Sequence, residues 1–274
     1  SNNQNGVCSG VTQVCTGANG WVEPDYNNVT NYESDELTCD GLDNDCNSLV
    51  DEGHPDFDGD NRADCVDPDI DDDGVLDNSD FVVGNPDNSN SNVPYDLVVA
   101  GEQFTGGEID EGRKLIKLVD DQGKDIAWIS YLFNLGNRFD FRDVILRYFT
   151  GREDEGSALV ISGINAPDSV RKAYLLKRLP TSSDMVCIKR SDIRETSQIS
   201  NDCTASDEII VICDSNNHNG FRCEKRVKGG EDIYVIHGMN YYGVREIDVI
   251  QNDFTRDGKV DYDDFFKFAD HFGT

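Results

Sequence analysis

The chain has 274 residues, with 54 acidic against 24 basic side chains, a net charge of −30, nine cysteines and two methionines. Such a polyanion repels nucleic acid and anionic membrane surfaces, and no stretch approaches the roughly 18 consecutive apolar residues of a spanning helix. The charge is uneven: residues 1–96 hold 23 acids and one base, whereas residues 97–274 hold 31 acids and 23 bases.

The chain begins at Ser1 without a methionine or a leader-like segment, and reads as a mature or trimmed product. Residues 1–38 are rich in Asn and Gly with few apolar anchors, which predicts an extended or loop-rich arm. They hold the one glycosylation sequon, Asn28-Val29-Thr30.

Residues 39–92 form a ribbon of loops that read as calcium sites. A hard cation with six to eight oxygen ligands takes side-chain oxygens at positions 1, 3, 5, 9 and 12 of a loop, a backbone carbonyl at position 7 and a sharp turn at position 6. From Asp69 those side chains are Asp69, Asp71, Asp73, Asp77 and Asp80, with Gly74 at the turn and Val75 offering its carbonyl. From Asp56 they are Asp56, Asp58, Asp60, Asp64 and Asp67, with Asn61 at the turn and Arg62 at position 7. A third, poorer frame starts at Asp43: Asp45, Asn47, Leu49 and Asp51 follow, Glu52 stands beside the last, Ser48 replaces the glycine and His54 falls at position 12. A solvated acidic tract is the common meaning of a charge run, but it does not account for a recurring 1-3-5-9-12 spacing. At this charge density an unliganded segment resists compaction, so folding and Ca²⁺ binding are expected to be linked.

The Asn/Ser/Pro-rich stretch 84–94 reads as a linker. Beyond it the pattern turns to β, with strands expected at 96–100, 114–119, 126–134, 141–149, 158–164, 173–179, 185–189, 209–213, 221–225, 233–237 and 244–250. Closely spaced strands without intervening helices predict one large or two small antiparallel β-sandwiches over residues 93–250. Residues 251–274 close the chain with a fourth calcium frame: Asp253, Thr255, Asp257, Asp261 and Asp264, with Gly258 at the turn and Lys259 at position 7. Phe265, Phe268, Ala269 and Phe272 then follow helical spacing, which predicts a short helix over 261–272 docked on the sandwich. The fold class expected is thus mainly β, with an N-terminal calcium-loop ribbon and one short C-terminal EF-hand-type helix.

No zinc-type spacing links the cysteines, so a disulfide framework is the better reading. Local pairing suggests Cys8–Cys15, Cys187–Cys203 and Cys213–Cys223, with Cys39–Cys46 or Cys46–Cys65 as the further pair and one cysteine left over. Disulfides and calcium together place the protein outside the cytosol, secreted or at a cell surface.

Three segments carry family resemblances. Cys39-Asp-Gly-Leu-Asp-Asn-Asp-Cys46, followed by Val50-Asp51-Glu52-Gly53, resembles the MopE-type motif of secreted microbial surface proteins. The loops from Asp56 and Asp69 resemble thrombospondin type 3 calcium repeats, in which successive loops share carboxylates, as Asp67 would here. Asp253-Phe-Thr-Arg-Asp-Gly-Lys-Val-Asp-Tyr-Asp-Asp264 is similar to one half of a dockerin; cohesin docking needs two halves, and this chain has one. The cysteine-bearing strands after Met185 loosely resemble β-domains of prokaryotic surface proteins. These resemblances imply calcium, about three to five ions, and an extracellular setting rather than an activity. The MopE-type resemblance also carries an association with copper, but soft copper prefers Cys, Met and His, and oxygen donors dominate the segment.

No Gly-x-Ser-x-Gly elbow, His-Glu-x-x-His or phosphate-binding loop occurs. Catalytic residues are therefore expected to be none. The expected role is that of a non-enzymatic, calcium-stabilised subunit of an extracellular filament, fibre or sheath, whose partners are other copies of itself. Arg171, Lys172, Lys177, Arg178, Lys189, Arg190 and Arg194 would offer a basic surface to a neighbour's acidic segment. The alternatives are a monomeric adhesin or spacer binding a surface polysaccharide or protein, and a secreted polysaccharide-active enzyme or its accessory module.

Overall fold

The structure is a computed structural model, and it describes residues 5–104, 109–134, 136, 138–150, 156–164, 171–178, 184–240 and 243–247. The expected fourth calcium loop and C-terminal helix lie outside these residues. The chain divides into two compact units, Ser1–Ser79 and Asp80–Thr274.

The first unit has little regular structure. Strands β1 (Val14–Cys15) and β2 (Trp21–Val22) pair as an antiparallel ribbon, and the rest consists of short 3-10 turns and loops. The arm expected over residues 1–38 is stitched into the loop region rather than separate from it. Val7 N donates to Asp43 O (3.0 Å) and Glu33 N to Asn44 O (3.0 Å). At Gly6 (φ +53°) a Cβ would stand 2.0 Å from the Asp43 carbonyl oxygen, so this approach requires glycine.

The disulfides explain that stitching. Cys8 bonds Cys46 and Cys39 bonds Cys65. The expected Cys8–Cys15 and Cys39–Cys46 or Cys46–Cys65 pairs are thereby corrected, and the unpaired cysteine is the exposed Cys15. Sequence proximity misleads here because Cys8 is brought to the Asp43 loop by backbone pairing, while Cys15 faces Trp21 across the ribbon. In the second unit Cys187 bonds Cys203 and Cys213 bonds Cys223.

The second unit is built of strands. They run in order as β3 (Val82–Val83), β4 (Asn90–Ser91), β5 (Tyr95–Val99), β6 (Glu102–Gln103), β7 (Gly112–Asp120), β8 (Asp125–Phe133), β9 (Phe139–Asp140) and β10 (Ile145–Phe149). There follow β11 (Ala158–Ser162), β12 (Arg171–Lys177), β13 (Met185–Lys189), β14 (Glu208–Ile212), β15 (Asn217–His218), β16 (Phe221–Lys228), β17 (Glu231–Met239) and β18 (Gly243–Ile247). One sheet has the order β14-β13-β18-β11-β10-β4 and the other β15-β16-β17-β12-β8-β7-β5-β6. Pairing is antiparallel except for the short β4–β10 and β3–β9 contacts. No helix among the described residues is long and apolar enough to cross a membrane.

The two sheets share one core. Period-two alternation sends Ile129, Tyr131 and Phe133 of β8 and Ile116 and Leu118 of β7 inward, to meet Leu146, Leu159, Ile161, Val186 and Val244 of the six-stranded sheet. Tyr174 of β12 is fully buried and donates its hydroxyl to Ile161 O of β11 (2.9 Å), joining the layers; burial pushes its phenol well above the usual range. The outer face of the six-stranded sheet is apolar too. Val160, Cys187 and Ile247 are covered by Ile193 and Ile199 of the segment that the Cys187–Cys203 bond ties down.

Two expectations change in this unit. The stretch 84–94 is not a free linker: β4 lies parallel to β10, and the Asn92 amide brackets Tyr148, donating to its O (3.0 Å) and accepting from its N (2.8 Å). Asparagine side chains here complete backbone pairing, which composition alone counts as loop. The expected strand over 141–149 begins instead with a 3-10 turn, Phe141–Asp143, whose N–H at Arg142 is capped by Asp140.

Candidate metal centres

The three loops of the first unit repeat with a period of 13 residues, and the repetition extends to backbone conformation. Position 6 is left-handed in each: Ser48 at φ 85°, Asn61 at 74° and Gly74 at 92°. In each, the first aspartate accepts from that residue's N–H: Ser48 N to Asp43 (3.0 Å), Asn61 N to Asp56 (3.1 Å) and Gly74 N to Asp69 (3.2 Å). The fifth position caps the seventh in the same way, Asn47 accepting from Leu49 N (2.8 Å), Asp60 from Arg62 N (2.7 Å) and Asp73 from Val75 N (2.8 Å). In the loops from Asp56 and Asp69 these bonds hold the turn so that carboxylates at positions 1, 3 and 5 converge. Asn, and less readily Ser, takes the role of glycine because short polar side chains tolerate φ > 0.

The loops from Asp56 and Asp69 agree further. Asp64 N donates to Pro55 O and Asp77 N to Pro68 O, both at 2.8 Å. Asp64 accepts from Phe57 N (2.8 Å) and Asp77 from Ile70 N (3.4 Å), so position 9 holds position 2. Oxygens of Asp56, Asp58 and Asp60 lie within 4.8 Å of one another, as do those of Asp69, Asp71 and Asp73. Asp58 Oδ2 and Asp69 Oδ1 are buried without a hydrogen-bond donor, which suits an oxygen reserved for a cation. Asp60 N lowers the Asp58 carboxyl, but burial and the charges of Asp60, Asp67 and Asp56 outweigh it and leave it raised. Asp67 accepts from Asp69 N (2.9 Å) and lies 4.0 Å from Arg62, so it stands at the junction of the two loops. Asp80 opens the second unit, where it accepts from Val82 N (2.9 Å).

The loop from Asp43 departs from the pattern at position 9. Asp51 turns away to accept from Asp40 N (3.0 Å) and Gly41 N (2.9 Å). Glu36, three residues before Cys39, takes its place and accepts from Asn44 N (2.5 Å), the position-2 amide of this loop, and from Asp45 N (3.0 Å). The carboxylates that converge are Glu36, Asp45 and Glu52, within 4.8 Å. Glu36 Oε2 and Glu52 Oε2 are buried with no donor. Burial, foremost, raises the Glu36 carboxyl, with the charges of Glu52 and Asp45 adding to it; burial likewise raises Asp45. Sequence reading missed Glu36 because it lies outside the loop frame. The signal that could have found it was the absence of an acid at position 12, where His54 stands in this loop alone.

These three clusters offer hard oxygen donors and no nitrogen or sulfur, which fits Ca²⁺ or a similar hard ion. Leu49, Arg62 and Val75, expected to contribute carbonyls at position 7, have their N–H groups held by the position-5 side chain of each loop. A fourth group, Cys187, Cys203 and Glu208, is no metal centre because both sulfurs are in one disulfide. Comparison of the chain with family models, curated proteins and solved structures returns no match. The assignment rests on this chain's own residues.

The expected basic surface is dispersed. Lys172 faces inward, 1% exposed, and burial depresses its ammonium to about 8. Arg178 pairs with Asp184 (2.9 Å), and Lys189 with Asp207 (2.8 Å). Alternation along β12 sends neighbouring residues to opposite faces, so bases adjacent in sequence do not form one patch.

Proposed function

We propose that the first unit is a row of calcium sites, and that the protein is a non-enzymatic structural component of the extracellular space that assembles into a filament, fibre or sheath. The 13-residue recurrence of turn conformation, caps and convergent carboxylates is the observation that carries this reading. Each ion would cancel two charges in a unit where like charges otherwise dominate, and so act as the internal strut that an apolar core supplies elsewhere. Four disulfides support an oxidising, extracellular location. The described histidines of the second unit are held by carboxylates, His218 by Asp214 (2.8 Å) and His237 by Glu224 (2.6 Å), in ion-pair clusters at the sheet surface.

In this reading Glu36, Asp45 and Glu52 hold one ion, Asp56, Asp58, Asp60 and Asp64 a second, and Asp69, Asp71, Asp73 and Asp77 a third. The loop from Asp253 would add a fourth by its sequence. Calorimetric titration of the demetallated protein with Ca²⁺ tests the sites; absence of heat, or binding of Cu²⁺ in preference, rejects them. Electron microscopy of the native material with and without EGTA tests the assembly. Polymers that come apart in chelator fit the proposal, and a monodisperse monomer at high concentration in saturating Ca²⁺ points instead to a spacer or adhesin module.

A further inference from the structure

The outer face of the eight-stranded sheet is cationic in a chain of net charge −30. Pairing register lays it out in rows: Lys117 opposite Trp128, Trp128 opposite Ala173, Ala173 opposite His237 and His237 opposite Arg222. Its middle strands, β12 and β17, contribute an apolar floor of Ala173, Leu175, Ile233 and Val235, packed with Trp128. Cations rise on both sides: Arg113 and Lys117 from β7, Lys177 from β12, and Arg222, Arg226 and Lys228 from β16. Lys228 lies 5.3 Å from the Trp128 ring centroid. Among the described residues the acids beside them are Asp96, Asp125 and Glu224, so six cations face three carboxylates there; a further pair, Lys124 with Glu231, is neutral. Arg222 and Arg226 remain about half exposed (49% and 48%) beside Glu224, and Leu115 of β7 is half exposed.

We propose that this face binds the carboxylate-rich first unit of a second copy. The charge complementarity is large: residues 40–79 hold 15 acids and one base, and three bound Ca²⁺ ions would still leave that stretch at about −8. The two surfaces are different patches of the same chain. Their contact is therefore heterologous and head-to-tail, and it propagates into an open filament when its rotation does not close a ring. This inference names the surface used in the assembly proposed above and rests on that assembly.

The test is sedimentation velocity of the full chain in saturating Ca²⁺ over a range of concentrations and NaCl. Wild type is expected to associate, with affinity falling as salt rises. Arg222→Glu with Arg226→Glu should weaken association by about tenfold or more, while Arg222→Lys with Arg226→Lys keeps it. Asp35→Lys with Asp72→Asn, at exposed first-unit positions, should weaken it from the other side. Mixed together, the two defective variants should form dimers that do not extend, because one intact face of each kind remains. Arg222→Gln with Arg226→Gln serves the same comparison if charge reversal impairs folding. Wild-type association that these substitutions leave unchanged, or a mixture that stays monomeric, overturns this surface while the assembly stands. A wild type that never associates overturns both.

Discussion

In residues 5–79 the buried side chains are Cys8, Cys46, Ala63, Asp43, Asn44 and Asp51; in the second unit they include Tyr131, Phe133, Phe139, Tyr174, Tyr234 and many aliphatics. The first unit buries carboxylates and half-cystines where the second buries aromatic rings. Apolar burial contributes roughly 25 cal/mol per Å², and the first unit has almost no such area to remove from water. Its compactness has to come from cross-links: two disulfides and, by our reading, divalent ions. The described core of the second unit gains its order from apolar packing. On that reading one chain contains a region whose fold is conditional on its surroundings and one whose fold is not.

Chelation is the strongest way to break that comparison. With free Ca²⁺ at a hundred times Kd, each site adds about 2.7 kcal/mol to the native state, so three sites add about 8 kcal/mol, comparable to the whole margin of a typical domain. Calorimetry should show two transitions in Ca²⁺, of which EGTA removes one and leaves the other in place; a single transition indifferent to EGTA would sink the conditional-fold reading. Next in size is the reverse experiment. Leu146→Ala leaves a cavity in the fully buried shared core and should cost about 2–5 kcal/mol. That loss is expected in the EGTA-resistant transition alone, with calcium stoichiometry unchanged.

The same contrast governs how much could be read without a structure. Strand positions were legible because apolar alternation is a local property: β7, β8, β11, β13 and β17 all fall where alternation and turn residues put them. The 13-residue loop repeat was legible for the same reason, since its ligands sit at fixed offsets. What escaped depends on contacts distant in sequence. Cys8 reaches Cys46 only because Gly6 and Val7 dock on Asp43, and Glu36 enters a loop that begins seven residues later. The basic surface was misplaced because proximity along β12 ignored that Lys172 and Lys177 point to opposite faces.

The substituted ligand offers a finer comparison within the first unit. Glu36→Gln should weaken one site by about tenfold or more while the others keep their affinity, because carboxylate count sets affinity in such loops. Asp51→Asn should act differently. Its carboxylate holds the Asp40 and Gly41 amides, so the change lowers stability of the loop and leaves the number of titratable sites unchanged. Calorimetric titration of both variants separates the roles; equal loss of one site in each would return Asp51 to the ligand set.

Acid should move the two units in opposite directions, by the smallest of these effects. In the metal-free first unit the carboxyls of Glu36, Asp45 and Asp58 are raised above their ordinary values of 4.5, 3.8 and 3.8. The folded form then binds protons more readily than the unfolded form, and stability rises as pH falls through the raised values toward the ordinary ones. Glu33, lowered by its bonds to Thr38 and Leu37, opposes this in part. In the second unit Asp207, Asp214 and Glu224 are lowered, Asp207 by Lys189 foremost, Asp214 by Asn216 and then His218, and Glu224 by His237 and Arg226 against the cost of burial. Their contribution is complete above the ordinary values and is lost as pH falls below about 4.5 and 3.8 through the depressed ones. In EGTA the first unit should therefore become more ordered between neutrality and about pH 5, while the second begins to lose stability only below that. With Ca²⁺ present the first trend reverses, because protons compete with the ion for the same oxygens. Circular dichroism melts across pH, with and without Ca²⁺, read both signs; a first unit that acid destabilises equally in either condition would mean that its carboxylates do not repel one another as their convergence requires.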